Sequence, residues 1–453
     1  MKTLEELYNG IGIDAKIKSI QNSIEKAQPG DLFVCFQPRD IQKAIDKGVK
    51  AIVVDSDIQM STIPIIKVPD AKTEYNYLCQ KFYDYPDCKL KTMILCGMDG
   101  KTSIGKIIQQ LLGTDACGFI GTNTYSCIGF SSPNLTTPDC NALYSYIHSF
   151  VEYNCKYAIL EASDTAIFDN QFQAIVADTC IYTGSFNSCY DQNQISTYIK
   201  ECSKLFSKTK RFCIFNGDDQ FFPYLKENCD NKVYTYGQNS NATLRIVECK
   251  FSSSKTIVKF QYQNEEFQVT TKLLSIMNVY NLAASLLCCL LWGYSLDELI
   301  KKCNDIKIDG RLEMLNTETS YSLMIDASKS QKSLSLLIQF IKSLDFSKIV
   351  LVVDFDSQSL INASFLEDCY VIFISKNNMA ASRNSSIHLK YEFAPTRREG
   401  IEKGVNLLGE KDILLIVGQG DNFYSDSSNQ SLKFTDKEVA YQALVNRKIK
   451  EER

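Results

Sequence analysis

Short apolar runs closed by glycine, aspartate or proline recur along this chain, separated by stretches whose apolar positions follow a helical spacing. In the first segment GDLFVCF (30–36), AIVVD (51–55) and IPIIKV (63–68) read as strands and residues 40–48 as a helix. A short linker around Tyr83-Asp84-Tyr85-Pro86-Asp87 follows. The second segment adds strands at YAILEA (157–162), DTCIYTG (178–184), RFCIFNGDD (211–219) and KVYTYG (232–237), with a helix over 194–207. Residues 243–271 differ: IVECKF, TIVKFQY and EEFQVTT predict a small antiparallel excursion, and a buried helix follows over 278–292. SLMIDA, KIVLVVDF, YVIFIS and DILLIVGQG are the strands of a third segment. Strands alternating with helices predict an α/β fold whose sheets are mostly parallel and covered on both faces.

One junction carries chemistry. The apolar run Met93–Cys96 reads as a buried parallel strand and runs directly into Gly97-Met98-Asp99-Gly100-Lys101-Thr102-Ser103. Ile104, Ile107, Ile108, Leu111 and Leu112 then mark one helix face. Strand, glycine loop, Lys-Thr and helix in this order make a phosphate site. The glycines let backbone N–H groups approach an anion, the helix N-terminus adds favourable potential, Lys101 pairs phosphate charge and the next hydroxyl can hold Mg²⁺. The loop is shorter than the common G-x-x-x-x-G-K-[ST] form, and a tight strand-to-helix turn that contains Gly-Lys is the plain alternative.

A length of 453 residues fits about three domains at ~150 residues each. The pattern divides them as 1–88, 89–307 and 308–453, the central one holding the phosphate loop. The net charge of −4 comes from acids and bases mixed along the chain, so no stripe for nucleic acid is expected. The first residues, MKTLEELYNGIG, lack the apolar core of a signal peptide. The most apolar helical stretch, 282–292, is too short to span a bilayer. A soluble, cytoplasmic protein is expected. The 18 cysteines are scattered through apolar runs without a C-x-x-C pair, which points to buried free thiols rather than disulfides or zinc. With only two histidines, His148 and His388, histidine-based proton transfer is nearly excluded.

Further motifs fall in a fixed order: PGDLF (29–33), the phosphate loop, GFIGTN (118–123), LTTPD (135–139), LEASDTAI (160–167), FNGDD (215–219), NVYN (278–281) and GRLE (310–313), with Asp326 ending the first strand of the third segment. This series resembles the Mur ligases, and within them the UDP-N-acetylmuramoyl-tripeptide synthetase (MurE) branch, which typically reads GTNGKT, LIGT, TTPD, MEVSSHAL, NxDD, FNVYN and GRLE. The resemblance implies three α/β domains, with a central P-loop mononucleotide-binding sheet and a Rossmann-like C-terminal ligase domain after a UDP-sugar-binding-like N-terminal one. It implies a cytoplasmic, ATP- and Mg²⁺-dependent enzyme of peptidoglycan synthesis, often monomeric, that adds an amino acid to a UDP-sugar peptide through an acyl phosphate. By the same resemblance Lys101 and Glu161 are catalytic. Gly97, Met98, Asp99, Gly100, Lys101, Thr102, Ser103, Asn278, Arg311 and Asp326 bind ATP. Thr102, Ser103 and Glu161 hold the metal, and Thr136, Thr137 and Ser163 touch the UDP-sugar substrate. Plain structural readings stand beside these: a strand-end carboxylate for Glu161, a helix cap for Asn278, a loop acid for Asp326, a surface ion pair for Arg311, and turn or capping hydroxyls for Thr136, Thr137 and Ser163.

The chain also departs from the family pattern. Thr165 stands where MEVSSHAL has histidine, and TNLxxDHLDxH becomes TGSFNSCYDQN (183–193), placing Ser188 and Cys189 at its Asp-His pair. The family's carbamylated lysine in YxxxKxxLF becomes Cys202; Lys200 and Lys204 flank it but lie about 200° around the helix. Gln171 replaces a substrate-contacting arginine. DYAHTPD becomes DASKSQK (326–332), DNPR becomes Lys376-Asn377-Asn378-Met379, and GKGHE becomes Gly418-Gln419-Gly420-Asp421-Asn422. The first-metal residues are kept, whereas those for a second metal and for diaminopimelate are not. A divergent ligase with ATP, one well-defined Mg²⁺ and an unusual acceptor is the main expectation. A relative that binds nucleotide without turnover, or a ligase of another pathway, is the alternative.

Overall fold

The computed structural model describes residues 1–451 apart from 59–61, 122–123, 128–129, 134–137, 186–191, 355–359, 362, 376–388 and 427–428. The described chain packs as two units.

The first unit comprises 1–105, 112–184 and 192–235. It contains a four-stranded parallel sheet in the order Ile20–Gln21, Leu32–Val34, Ala51–Val54, Ile65–Lys67. Phe33, Ile52 and Val54 pack with Ala44 of the helix Ile41–Asp46. The helix Ala71–Phe82 starts where Asp70 accepts the Thr73 N–H at 2.6 Å.

The unit also holds five parallel strands of the large sheet, in the order Cys117–Ile120, Tyr157–Glu161, Lys91–Cys96, Thr179–Tyr182, Phe212–Asn216. All are nearly fully buried (only Lys91 is exposed), as the unbroken apolar runs require of parallel strands. An antiparallel hairpin, Thr124–Cys127 with Phe130–Pro133, extends the Cys117–Ile120 edge and was not expected from its Ser- and Thr-rich sequence. Glu161 lies opposite Leu95, and Tyr182 opposite Cys96, so three strands end together at one edge.

The second unit comprises 106–111, Ser185 and 236–453. Leu244–Phe251, Thr256–Tyr262 and Glu265–Thr271 form the expected antiparallel meander, with a register slip between Ile246 and Glu248. The helix Ile276–Leu291 follows, buried over most of its length. A six-stranded sheet runs Glu313–Met314, Ser322–Asp326, Ile413–Val417, Ile349–Val353, Cys369–Ile374, Lys390–Ala394, parallel except for its first pair. Successive strand residues face opposite ways. Leu351, Val353 and Leu415 therefore pack with Leu334, Ile338 and Ile341 of the helix Gln331–Lys342, while Val350, Val352 and Leu414 pack with Ile401, Val405 and Val439 from the helices Arg397–Asn406 and Asp436–Glu451.

The α/β class with parallel-rich sheets is as the sequence predicts. Every described cysteine is a free thiol. No described helix is long and apolar enough to cross a membrane.

Candidate active site

The strand Lys91–Cys96 delivers the chain into the glycine loop, and the helix Lys101–Leu112 receives it. Gly97 has φ of +125°, and a Cβ there would lie 2.2 Å from Thr183 Oγ1 and 2.9 Å from its backbone nitrogen, so only glycine fits. Gly100 also has positive φ, +87°. The loop is tied to the neighbouring strand end: Thr183 N donates to Cys96 O, and Met98 N to Gly184 O, both at 2.9 Å. A second tie comes from the helix Gln192–Ser207. Gly97 N donates to the Tyr198 hydroxyl at 2.9 Å, and that hydroxyl lies 3.1 Å from Gly97 O, to which it can donate in turn. Burial, with the nearby Cys202 and Cys96 thiols, pushes the Tyr198 hydroxyl well up, so it stays protonated and able to donate.

Lys101 is buried, at 9 % exposed. Its ammonium donates to Gly97 O at 2.6 Å and to Met98 O at 3.3 Å, and it lies 3.8 Å from Asp164 Oδ1. Thr102 Oγ1 donates to Glu161 Oε2 at 2.8 Å. Glu161 is the last residue of its strand and 8 % exposed. Gly121 of the GFIGTN motif comes so close that a Cβ there would lie 3.0 Å from Glu161 Oε2. Ser103 is buried on the first helical turn. Lys101, Thr102 and Glu161 are thus brought together beside the helix N-terminus, where unpaired N–H groups favour an anion. Ser163 caps the short helix Asp164–Phe168 by accepting the Ala166 N–H at 3.2 Å, and its hydroxyl meets that of Thr165 at 3.1 Å. Thr136 and Thr137 lie outside the described residues, as do Ser188, Cys189 and Lys376 to Met379.

Cys202 sits one helical turn after Tyr198 and is fully buried. Burial, followed by the adjoining Cys202 thiol, pushes the Cys96 thiol well up. The position matching the family's modified lysine is therefore an inward-facing, apolar-packed sulfur. In the FNGDD motif Asp219 accepts from Tyr182 Oη at 3.4 Å and from Phe221 N at 3.0 Å, which makes it a turn-forming acid.

Asn278, Arg311 and Asp326 belong to the second unit. Asn278 is not the helix cap that its sequence position allowed. The helix begins two residues earlier, with Ser275 at the cap, and Asn278 Nδ2 donates to Leu274 O at 3.0 Å while its Oδ1 accepts from Asn281 Nδ2 at 3.1 Å. Ser275 itself has φ +75° and ψ 155°, and its buried hydroxyl has no hydrogen-bond partner among the described residues. Asp326 is buried at its strand end and holds the GRLE turn: its Oδ2 accepts the N–H of Leu312, which has φ +44°. Its Oδ1 accepts from Ser328 N at 2.9 Å. Arg311 Nη1 donates to Gly310 O at 3.1 Å and lies 3.6 Å from Asp421 Oδ1. Gly310 fits against the GQGDN loop so closely that a Cβ would be 2.1 Å from Asp421 N. Glu313 completes the turn by accepting from Gly310 N at 2.8 Å and pairing with Lys437 at 2.5 Å.

Three contacts were missed from sequence: the Tyr198 clamp, the Asp164 carboxylate beside Lys101, and Asp421 beside Arg311. Each residue lies inside a motif quoted above, but its partner is 63 or more positions away, and only the tertiary fold brings the pairs together.

Comparison with known proteins agrees with this geometry. The model of the Mur ligase middle domain matches residues 95–289. The UDP-N-acetylmuramoyl-L-alanyl-D-glutamate–2,6-diaminopimelate ligase of Fusobacterium nucleatum is 26 % identical over 480 residues, spanning 98 % of this chain and 98 % of that protein. A solved structure of a UDP-N-acetylmuramoyl-L-alanyl-D-glutamate–2,6-diaminopimelate ligase superposes with a TM-score of 0.71 at 19 % identity, covering 99 % of both chains. The MurF ligase of Thermotoga maritima, solved in complex with ADP, gives 0.64 at 14 % identity over 96 % of this chain and 97 % of that one. Strand-loop-helix geometry, ordered motifs and matches along nearly the whole length agree: residues 95–289 are a Mur ligase middle domain, in a chain similar to Mur ligases from end to end.

Proposed function

We propose that this chain is an ATP-dependent, ADP-forming ligase of peptidoglycan synthesis, which joins an amino acid to the carboxylate of a UDP-N-acetylmuramoyl-dipeptide-type precursor. The observation that carries the reading is the meeting of Lys101, Thr102 and Glu161 at the N-terminus of the loop helix within a Mur ligase middle domain. ATP phosphorylates the acceptor carboxylate, and the amine then displaces phosphate from the acyl phosphate. This chemistry depends on positioning and charge neutralisation rather than proton transfer, which suits a chain with two histidines.

In this reading the loop Gly97 to Ser103 forms the phosphate cradle, Gly97 and Met98 shaping it through N–H bonds to Tyr198 and Gly184, and Lys101 leaves Gly97 O to meet the phosphates. The hydroxyl of Thr102 and the carboxylate of Glu161, already 2.8 Å apart, are hard oxygen donors suited to Mg²⁺. Mg²⁺ commonly takes one or two protein oxygens and completes its shell with phosphate and water. Held there by Thr102 and Glu161, such an ion would supply charge neutralisation for the phosphates. Ser103 supports this end of the site. Asn278, Arg311 and Asp326 serve the nucleotide in this reading, Asp326 by fixing the turn that carries Arg311. Thr136, Thr137 and Ser163 serve the UDP-sugar peptide. The division into 1–88, 89–307 and 308–453, a cytoplasmic location and a monomeric state complete the proposal.

Cys202 favours a second reading, nucleotide binding without turnover. A sealed thiol packed against Cys96 offers no carbamate for a second metal. One assay separates the two: ADP and phosphate release by purified protein with Mg²⁺-ATP and UDP-N-acetylmuramoyl-L-Ala-D-Glu, across the amino acids and diaminopimelate. Release that requires both acceptor and one amino acid, with a product heavier by that residue, establishes the ligase. ATP binding without release under every combination establishes the second reading.

A further inference from the structure

Lys101 and Glu161 are not the only charges at the loop. Asp164 opens the turn that follows the Glu161 strand, and the Ser163 cap fixes its backbone. Its carboxylate stands 3.8 Å from Lys101 Nζ, on a side chain 29 % exposed against 10 % for the lysine. The buried ammonium therefore has the carbonyls of Gly97 and Met98 and the Asp164 carboxylate around it.

Counting formal charges, Lys101 contributes +1 and Glu161 and Asp164 −1 each, so these three side chains together carry −1. A phosphate arriving at Lys101 must compete with Asp164 for the ammonium and then lie close to that carboxylate. At such separations, and with one partner buried, the repulsion is only partly screened. A metal-free triphosphate meets the full penalty. A magnesium-loaded one brings two positive charges to the Thr102–Glu161 side and meets much less.

We infer that Asp164 is a specificity-determining residue that makes the loop select magnesium-complexed nucleotide over metal-free nucleotide. It is a positioning residue: it acts through Lys101, holding the ammonium on the loop carbonyls until a neutralised phosphate takes it. The inference rests on the nucleotide reading above and adds to it which ionic form of the nucleotide is accepted.

The test is calorimetric binding of a non-hydrolysable ATP analogue to the full chain, once with excess Mg²⁺ and once with EDTA, for the natural protein, Asp164→Asn and Asp164→Ser. The serine variant keeps a helix-start residue and guards against a folding defect in the first. The expected result is a roughly 3- to 10-fold gain in affinity for the metal-free analogue, with a change of less than about twofold for the magnesium form. The gain should vanish in a Lys101→Ala background, which a merely structural role would not produce. An unchanged ratio of the two affinities overturns the inference. So does a selective loss of magnesium-dependent binding, which would make Asp164 a metal ligand. Failure of the natural protein to bind the analogue in either condition instead overturns the nucleotide reading itself.

Discussion

Thr102 Oγ1 donates to Glu161 Oε2 across 2.8 Å, although the two residues are 59 positions apart. The bond follows from register. Tyr157–Glu161 runs parallel to Lys91–Cys96 with Glu161 opposite Leu95, so the carboxylate projects beside the first turn of the helix that the loop begins. Carboxyl ends of parallel strands gather chemistry in this way.

Removing either member should uncouple nucleotide binding from magnesium. Glu161→Ala is expected to lower affinity for the nucleotide in Mg²⁺ by about tenfold, or ~1.4 kcal/mol, and leave affinity in EDTA nearly unchanged. Thr102→Val should act in the same direction and Thr102→Ser should preserve binding. Titration calorimetry in the two buffers measures this, and an equal loss in both would remove Glu161 from the metal site.

Gly97→Ala should damage the protein rather than only the site. Its Cβ would fall 2.2 Å from Thr183 Oγ1 and 2.9 Å from Thr183 N. Thr183→Ala relieves the first contact but not the second. A loss of about 2–4 kcal/mol is expected from the clash and the positive φ together, read as a lower denaturant midpoint. A single variant with natural stability would contradict the loop geometry.

Ser275→Gly should stabilise. The residue, 6 % exposed, combines φ +75° with ψ 155°, a region that favours glycine, and carries a buried hydroxyl with no partner among the described residues. Relief of backbone strain and of the unpaired hydroxyl is expected to add about 1–2 kcal/mol. The denaturant midpoint should rise with an unchanged slope. A midpoint that falls would show that the serine makes a compensating contact.

Asp421 should give the second unit an acid-sensitive component. Burial pushes its carboxyl up, but the ammonium of Lys106 and the guanidinium of Arg311 outweigh burial and hold it below the usual 3.8. A depressed folded pKa means that the unfolded chain binds the proton more readily. The contribution is therefore full above the unfolded value, about 3.9, and is lost as pH falls through the folded one. Asp421→Asn should reduce stability at pH 7 and flatten its decline below about pH 4. Parallel stability curves for the two proteins across that window would contradict the ion-pair assignment.

Much of the fold was legible because buried parallel strands leave unbroken apolar runs, as in Met93–Cys96 and Ile413–Val417. The hairpin at Thr124–Cys127 was not, since TYSC and FSSP lack both that run and strict alternation. Asn278 looked like a cap because asparagine favours caps, but Ser275 takes the position in a conformation no local propensity predicts. At the site, the phosphate loop could be read from its glycines and Lys-Thr together with the strand and helix patterns on either side. The Tyr198 and Asp164 contacts depend on where a helix and a neighbouring strand end come to rest, which is tertiary information.

The carbonyl of Gly97 serves two donors at once, the Lys101 ammonium and the Tyr198 hydroxyl. Were Lys101 to turn to a phosphate, as proposed, that oxygen would keep a partner, and Gly97 N its own bond to the same hydroxyl. In the proposed reading the loop would need no rebuilding to receive a phosphate, and its shape is set by ties to Tyr198 and Gly184 that Lys101 does not make.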